Sequence, residues 1–279
     1  SPHRPVLVVT RPDRPAGRGR RLVAPPVWHA AQTLGLDVAQ PDDVNEEMAR
    51  ARIASVAPEA VVVCAFGALL TEPLLSEHEM LNVHPSLLPR WRGAAPVERS
   101  MMAGDEETGV AIMRVTAGLD SGPVCLVERE PIAADDTYGT LAPRLAQLGG
   151  DLLLRALDER PAFEEQDESA VTYADKITAK DRRLDPREQP AAELDRVVRA
   201  LTPHIGALLE LPDGSLLGVR GARLAAGSAL PAGTLGNEDG RLVLSTRDGA
   251  LDLTEVQPPG KRPMSAADYL RGHDLPHPR

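Results

Sequence analysis

A chain of 279 residues, 42% hydrophobic and 26% charged, is long enough for one large domain or two smaller ones with a sizeable core. Its formal charge of −10 argues against a protein that coats nucleic acid over its whole surface. No apolar run approaches the roughly eighteen residues of a membrane-spanning helix, residues 1–26 lack the apolar core of a signal peptide, and neither a P-loop nor a GxGxxG is present.

In chain order, the β-branched run at residues 6–10 predicts a buried strand. The following RPDRPAGRGRRL, rich in Pro, Gly and Arg, predicts a loop. Within residues 1–25 six arginines stand against one acid, Asp13, a local basic patch on an acidic chain that suits a polyanion bound at one place. Residues 27–34 predict a helix. Residues 60–65 (AVVVCA) predict a fully apolar strand in a parallel sheet covered on both faces, and residues 80–84 predict another. Cys64 and Cys125 are the only cysteines and lie in apolar runs, which predicts buried reduced thiols and a cytoplasmic location.

Residues 109–116 and 124–127 read as strands flanking Asp120. Residues 140–157 carry leucines at 141, 145, 148 and 152, a helix with one buried face. Pro143 is expected in its first turn, and Gly149 and Gly150 are expected at close packing against the sheet. Strands alternating with helices predict an α/β domain ending near residue 160. The acidic stretch 158–171 reads as a linker. Leu194, Val197, Val198 and Leu201 then share one helical face. Apolar runs at 205–211, 215–219, 241–245 and 250–256 are separated by Pro212-Asp213-Gly214, residues 236–240 and Asp248-Gly249, and predict a small antiparallel barrel.

Chemistry concentrates in NVHPSLLPRWRGAAP, residues 82–96, and in TAGLDSGP, residues 116–123. Two residues apart on a strand, Asn82 and His84 point to one face. An amide and an imidazole there can hydrogen-bond an oxyanion, and Asp120 can hold the imidazole charged or in one tautomer. Gly118 and Gly122 permit the tight loop that presents Asp120. Trp91 stays open between a packing anchor and a stacking platform. His29, His78 and His204 have no ligand-like neighbours at zinc spacing, and no metal site is expected at His273 and His277 in the Pro-rich tail.

These two motifs resemble the folate-dependent formyltransferases. PDRPAGRGRRL, TYADKITAKDRRLDP and QPPGKRPMSAADYLRG narrow the resemblance to the members that act on methionyl-tRNA, and it runs from about Val6 to about Gly272. The resemblance implies a Rossmann-like domain with a mostly parallel sheet over residues 1–160, a linker over 161–184, and an OB-like tRNA-binding barrel over 185–279. It implies formyl transfer from 10-formyltetrahydrofolate, without a metal, to the α-amine of methionyl-initiator-tRNA, for translation initiation. The family's catalytic asparagine, histidine and aspartate fall on Asn82, His84 and Asp120. Its folate-lining turn falls on Ser86, Leu87, Leu88 and Pro89, and its tRNA-contacting loop on Arg14, Arg18, Arg20 and Arg21. The family's first strand and helix have no counterpart here, so the catalytic domain is expected to lack them. A monomer is expected. The competing enzymatic reading is a formyltransferase acting on an amino sugar nucleotide, which would need no long basic loop. A non-catalytic RNA-binding protein would not need the Asn–His–Asp set.

Overall fold

The computed structural model describes residues 3–16, 21–273 and 275. In chain order these form β1 (Val8–Val9), β2 (Arg14–Ala16), β3 (Arg21–Val23), α1 (Pro26–Thr33), β4 (Val38–Ala39), α2 (Glu47–Ser55), β5 (Val61–Val63), α3 (Leu74–Glu77) and β6 (Met80–His84). β7 (Arg92–Gly93), α4 (Pro96–Ala103), β8 (Glu107–Arg114), β9 (Val124–Pro131) and α5 (Tyr138–Glu159) follow. Then come β10 (Tyr173–Ala174), β11 (Arg183–Leu184), α6 (Ala191–Leu201), β12 (Ala207–Glu210), β13 (Leu216–Ala225), β14 (Leu235–Glu238), β15 (Arg241–Ser245), β16 (Ala250–Gln257), β17 (Met264–Ser265) and α7 (Ala266–Gly272). They group into two compact units, one of Ser1–His84, Val110–Glu128 and Leu148–Ala170, the other of Pro85–Gly109, Arg129–Gln147 and Val171–Arg279.

In the first unit, β1 pairs in parallel with β4, and β5 in parallel with β6. β6 then pairs antiparallel with β8, setting Asn82 opposite Met113 and His84 opposite Ala111. The sheet order is β5-β6-β8-β9. β8 lies inside this order and is buried along nearly its whole length, as its alternation-free run Gly109-Val110-Ala111-Ile112-Met113 requires. β5 lies at the end of the order with one hydrogen-bonded neighbour, so its valines are less covered than the sequence suggests: Val62 is 41% exposed. The first strand is also shorter than expected and only half-buried, with Val6 in the open. The thiols depart from expectation for the same reason. Cys64, just past the end of β5, is exposed, and Cys125, on β9 at the opposite end of the order, is half-buried.

α5 starts two residues earlier than the leucine pattern indicates, so Pro143 lies inside the helix rather than in its first turn. Of its paired glycines only one is required by packing. A Cβ on Gly149 would stand 2.8 Å from Val83 Cγ1, whereas one on Gly150 would meet nothing within 4 Å. Gly149 therefore lets α5 lie against the face of β6 opposite Asn82 and His84.

In the second unit, seven strands run in the order β11-β12-β13-β16-β15-β14, with β17 on β16. All of these ladders are antiparallel except β11–β12. The sheet curls as a half-barrel, with register breaks at Gly221 where β13 bends along β16. α6 covers it with Leu194, Val198 and Leu201, each 1% exposed or less, against Leu217, Leu242 and Leu251. The expected break at residues 236–240 is itself a hairpin: Gly236 and Asn237 belong to β14, and only Asp239 and Gly240 turn, at φ +52° and +79°. Both positive values are what a two-residue hairpin of this hand requires.

Candidate active site

β6 delivers Asn82 and His84 to the same face by strand alternation, and the β8–β9 connection brings Asp120 back to them. Asn82 Nδ2 donates to Asp120 Oδ1 at 3.3 Å, and His84 Nδ1 lies 3.7 Å from Asp120 Oδ2. One carboxylate thus serves two partners with its two oxygens. The second distance is electrostatic rather than hydrogen-bonding, a spacing that catalytic groups often tighten only when substrate is present. His84 is buried at 4% exposure, while the Asp120 side chain keeps 18%, so the group opens toward solvent on the aspartate side. Asp120 holds φ +43°, a left-handed conformation that Asp tolerates better than most residues. Of the flanking glycines, Gly122 is needed for space, since a Cβ there would collide with the Arg114 backbone carbonyl, whereas one on Gly118 would meet only the Ser121 side chain.

The stretch read as a linker contributes to this loop. Gln166 Nε2 donates to the Asp120 carbonyl at 2.9 Å and to the Gly122 carbonyl at 2.7 Å. Glu164 and Val124 exchange two backbone hydrogen bonds, and the Arg114 guanidinium lies 4.3 Å over the Phe163 ring. Sequence reasoning missed Gln166 because a glutamine in an acidic tract carries no periodic signal.

The turn that follows His84 belongs to the second unit. Ser86 is fully buried and its hydroxyl donates to the Arg90 carbonyl at 2.6 Å, so it closes the turn. Leu87, Leu88 and Pro89 are half-buried and offer apolar surface. Arg90 clasps Asp105 through two hydrogen bonds, at 2.9 and 2.6 Å, and this pairing holds its guanidinium above the usual range. Trp91 Nε1 donates to the same carboxylate at 2.8 Å, beneath the Arg90 guanidinium at 4.4 Å. Trp91, at φ +66°, is thereby fixed as an anchor of the turn.

Arg14 and Arg21 are exposed at opposite ends of the β2–β3 ladder, with Arg14 opposite Val23 and Arg21 opposite Ala16. The basic segment is therefore partly a ladder and not solely a loop. Arg18 and Arg20 lie outside the described residues. Among the described residues no cluster of His, Cys, Asp and Glu could hold a metal ion, and no helix is long and apolar enough to cross a membrane.

Residues 2–157 match the formyl transferase family model, and residues 176–274 match that of the formyl transferase C-terminal domain. The chain is 46% identical to the methionyl-tRNA formyltransferase of Halorhodospira halophila, over 98% of this chain and 89% of that protein. Its fold resembles that of HypX from Aquifex aeolicus, solved in complex with tetrahydrofolic acid, at a TM-score of 0.66, 18% identity, 95% of this chain and 46% of that one. It also resembles methionyl-tRNA formyltransferase from Clostridium thermocellum, at a TM-score of 0.60, 13% identity, 78% of this chain and 93% of that one.

Proposed function

The chain belongs to the methionyl-tRNA formyltransferase family, and from that premise we propose that it moves the formyl group of 10-formyltetrahydrofolate to the α-amino group of methionyl-initiator-tRNA, in the cytoplasm, for translation initiation. The observation that carries this reading is the convergence of Asn82, His84 and Asp120 at the end of β6.

The α-amine attacks the formyl carbon, a C–N bond forms, and the carbonyl oxygen becomes an oxyanion. The Asn82 amide, aimed by the hydrogen bond it gives Asp120, turns its second hydrogen to that oxygen, and His84 donates from its imidazole. Asp120 accepts the proton that the amine loses, directly or through water. Collapse of the tetrahedral species breaks the bond to folate N10, which leaves with a proton. The folate nitrogen is already a serviceable leaving group, so the reaction needs no covalent enzyme intermediate.

Leu87, Leu88 and Pro89 supply apolar surface for the folate, while Ser86 shapes the turn that carries them. Arg14, Arg18, Arg20 and Arg21 meet phosphates of the tRNA acceptor end, so affinity falls steeply with salt. We assign residues 1–160 to catalysis, 161–184 to the connection and 185–279 to an OB-like tRNA-gripping module, in an enzyme that works as a monomer.

The test is transfer from 10-formyltetrahydrofolate to methionyl-initiator-tRNA, with deacylated tRNA and an amino sugar nucleotide as alternative acceptors. Product that requires the aminoacylated tRNA is expected. Formylation of the sugar alone would reverse the assignment of the acceptor.

A further inference from the structure

Gln166 comes from a segment remote in sequence from the Asn82–His84–Asp120 group, yet it grips the loop that carries the carboxylate. Both atoms facing its Nε2 are carbonyl oxygens, those of Asp120 and Gly122, so only the amino end of the side chain satisfies them. Its two hydrogens span the two carbonyls on either side of Ser121. The segment that presents Gln166 is itself tied down. Glu164 is bonded twice to Val124 at the exit of the loop, and Phe163 lies under Arg114 at its entrance. The loop is thus held at both ends and at its tip. Its tip is also where Asp120 adopts φ +43° and divides its two carboxylate oxygens between Asn82 and His84. A backbone in that region drifts unless its surroundings fix it.

We infer that Gln166 is the positioning residue for Asp120, acting through the Asp120 and Gly122 carbonyls to hold the carboxylate between Asn82 and His84. This inference deepens the formyl-transfer reading and rests on it. Gln166 acts through the backbone of the loop; its amide sets where the proton acceptor stands.

The experiment compares the full chain with its Gln166→Ala and Gln166→Glu variants. In Gln166→Ala, kcat should fall roughly 10- to 100-fold, while KM for the folate and for the tRNA stays within roughly two-fold. In Gln166→Glu the introduced carboxyl can donate a hydrogen to a carbonyl only when protonated; ionised, it offers only acceptors. Its kcat relative to the unsubstituted chain should therefore rise as pH is lowered from about 7 to about 5, into the range where a glutamate carboxyl takes up a proton. A Gln166→Ala kcat equal to that of the unsubstituted chain, or a flat pH ratio for Gln166→Glu, would overturn the inference. If Gln166→Ala does not fold, the pH ratio decides alone.

Amide exchange over residues 116–123 provides a readout independent of activity. Faster exchange in Gln166→Ala supports the positioning role even if the unsubstituted chain transfers no formyl group. Unchanged exchange refutes that role even if transfer is robust.

Discussion

The curled C-terminal sheet and the sheet that carries Asn82 and His84 invest their residues differently. Among the described residues, one hydrophobic cluster gathers eighteen buried side chains between α6, α7 and the strands β11 to β16. The sheet that carries Asn82 and His84 is buried as well, with Val110, Ala111, Ile112 and Met113 of β8 each 1% exposed or less, and a smaller cluster of Val44, Ile53, Leu74 and Met80 packs against β1 and β5. What sets the first unit apart is its polar groups. Asn82, His84 and Asp120 all belong to the first unit, Asp120 in a left-handed conformation and on a loop whose spacing tolerates no Cβ at Gly122. Apolar burial drives folding without direction, whereas oriented polar groups need directed partners. Substitutions in the two regions should therefore separate stability from chemistry.

The sharpest break should come at the two groups proposed to hold the oxyanion. Asn82→Ala or His84→Ala is expected to lower kcat by 10²–10³-fold, about 3–4 kcal/mol, measured as formyl transfer at saturating substrates. The thermal midpoint should barely move, and a variant that transferred at the unsubstituted rate would end the catalytic assignment. Next comes Leu217→Ala in the C-terminal cluster, where the leucine is fully buried. It should cost about 3 kcal/mol of unfolding free energy in a urea titration while leaving kcat intact at low temperature. A variant with unchanged stability but reduced transfer would erase the distinction between the regions.

The smallest effect concerns acid. Asp181 accepts from Arg99 at 2.7 Å and from Thr178, which holds its carboxyl far below the usual range. A carboxyl depressed in the folded state adds stability at pH values above its unfolded pKa of about 4 and loses it as pH falls toward the folded value. Asp181→Asn should therefore be less stable near neutrality by about 1 kcal/mol, given the partial exposure of the pair. Denaturation series at several pH values should show the gap closing below about pH 4. A gap that widened in acid would contradict the pairing.

Much of the fold could be read directly where local pattern and structure coincide. Residues 80–84 and 241–245 form strands with the expected bounds, and the face of α6 is the one its leucine and valine spacing marks. Reading failed where a neighbour decides. β5 reads as a covered strand, but a run of valines does not reveal that it ends the sheet. Gly236 and Asn237 carry turn chemistry yet pair with Val243 and Leu242, because the adjoining Asp239 and Gly240 make the turn instead. Gly149 and Gly150 are identical in sequence terms, and only the position of Val83 distinguishes them. Gln166 is the clearest case, a single amide in an acidic stretch with nothing local to mark it.

The sequence by itself determined that Asn82 and His84 share a face, because a strand repeats every two residues wherever it lies, and that a basic segment and an acidic body coexist in one chain. Only the tertiary structure decided that Asp120, 38 residues from Asn82, divides its oxygens between amide and imidazole. It likewise decided that Gln166, 46 residues beyond Asp120, donates to the Asp120 and Gly122 carbonyls. Those contacts depend on the register of β6 with β8 and on the bridge at Val124, and such long-range pairings are set by the whole sheet rather than by any local period.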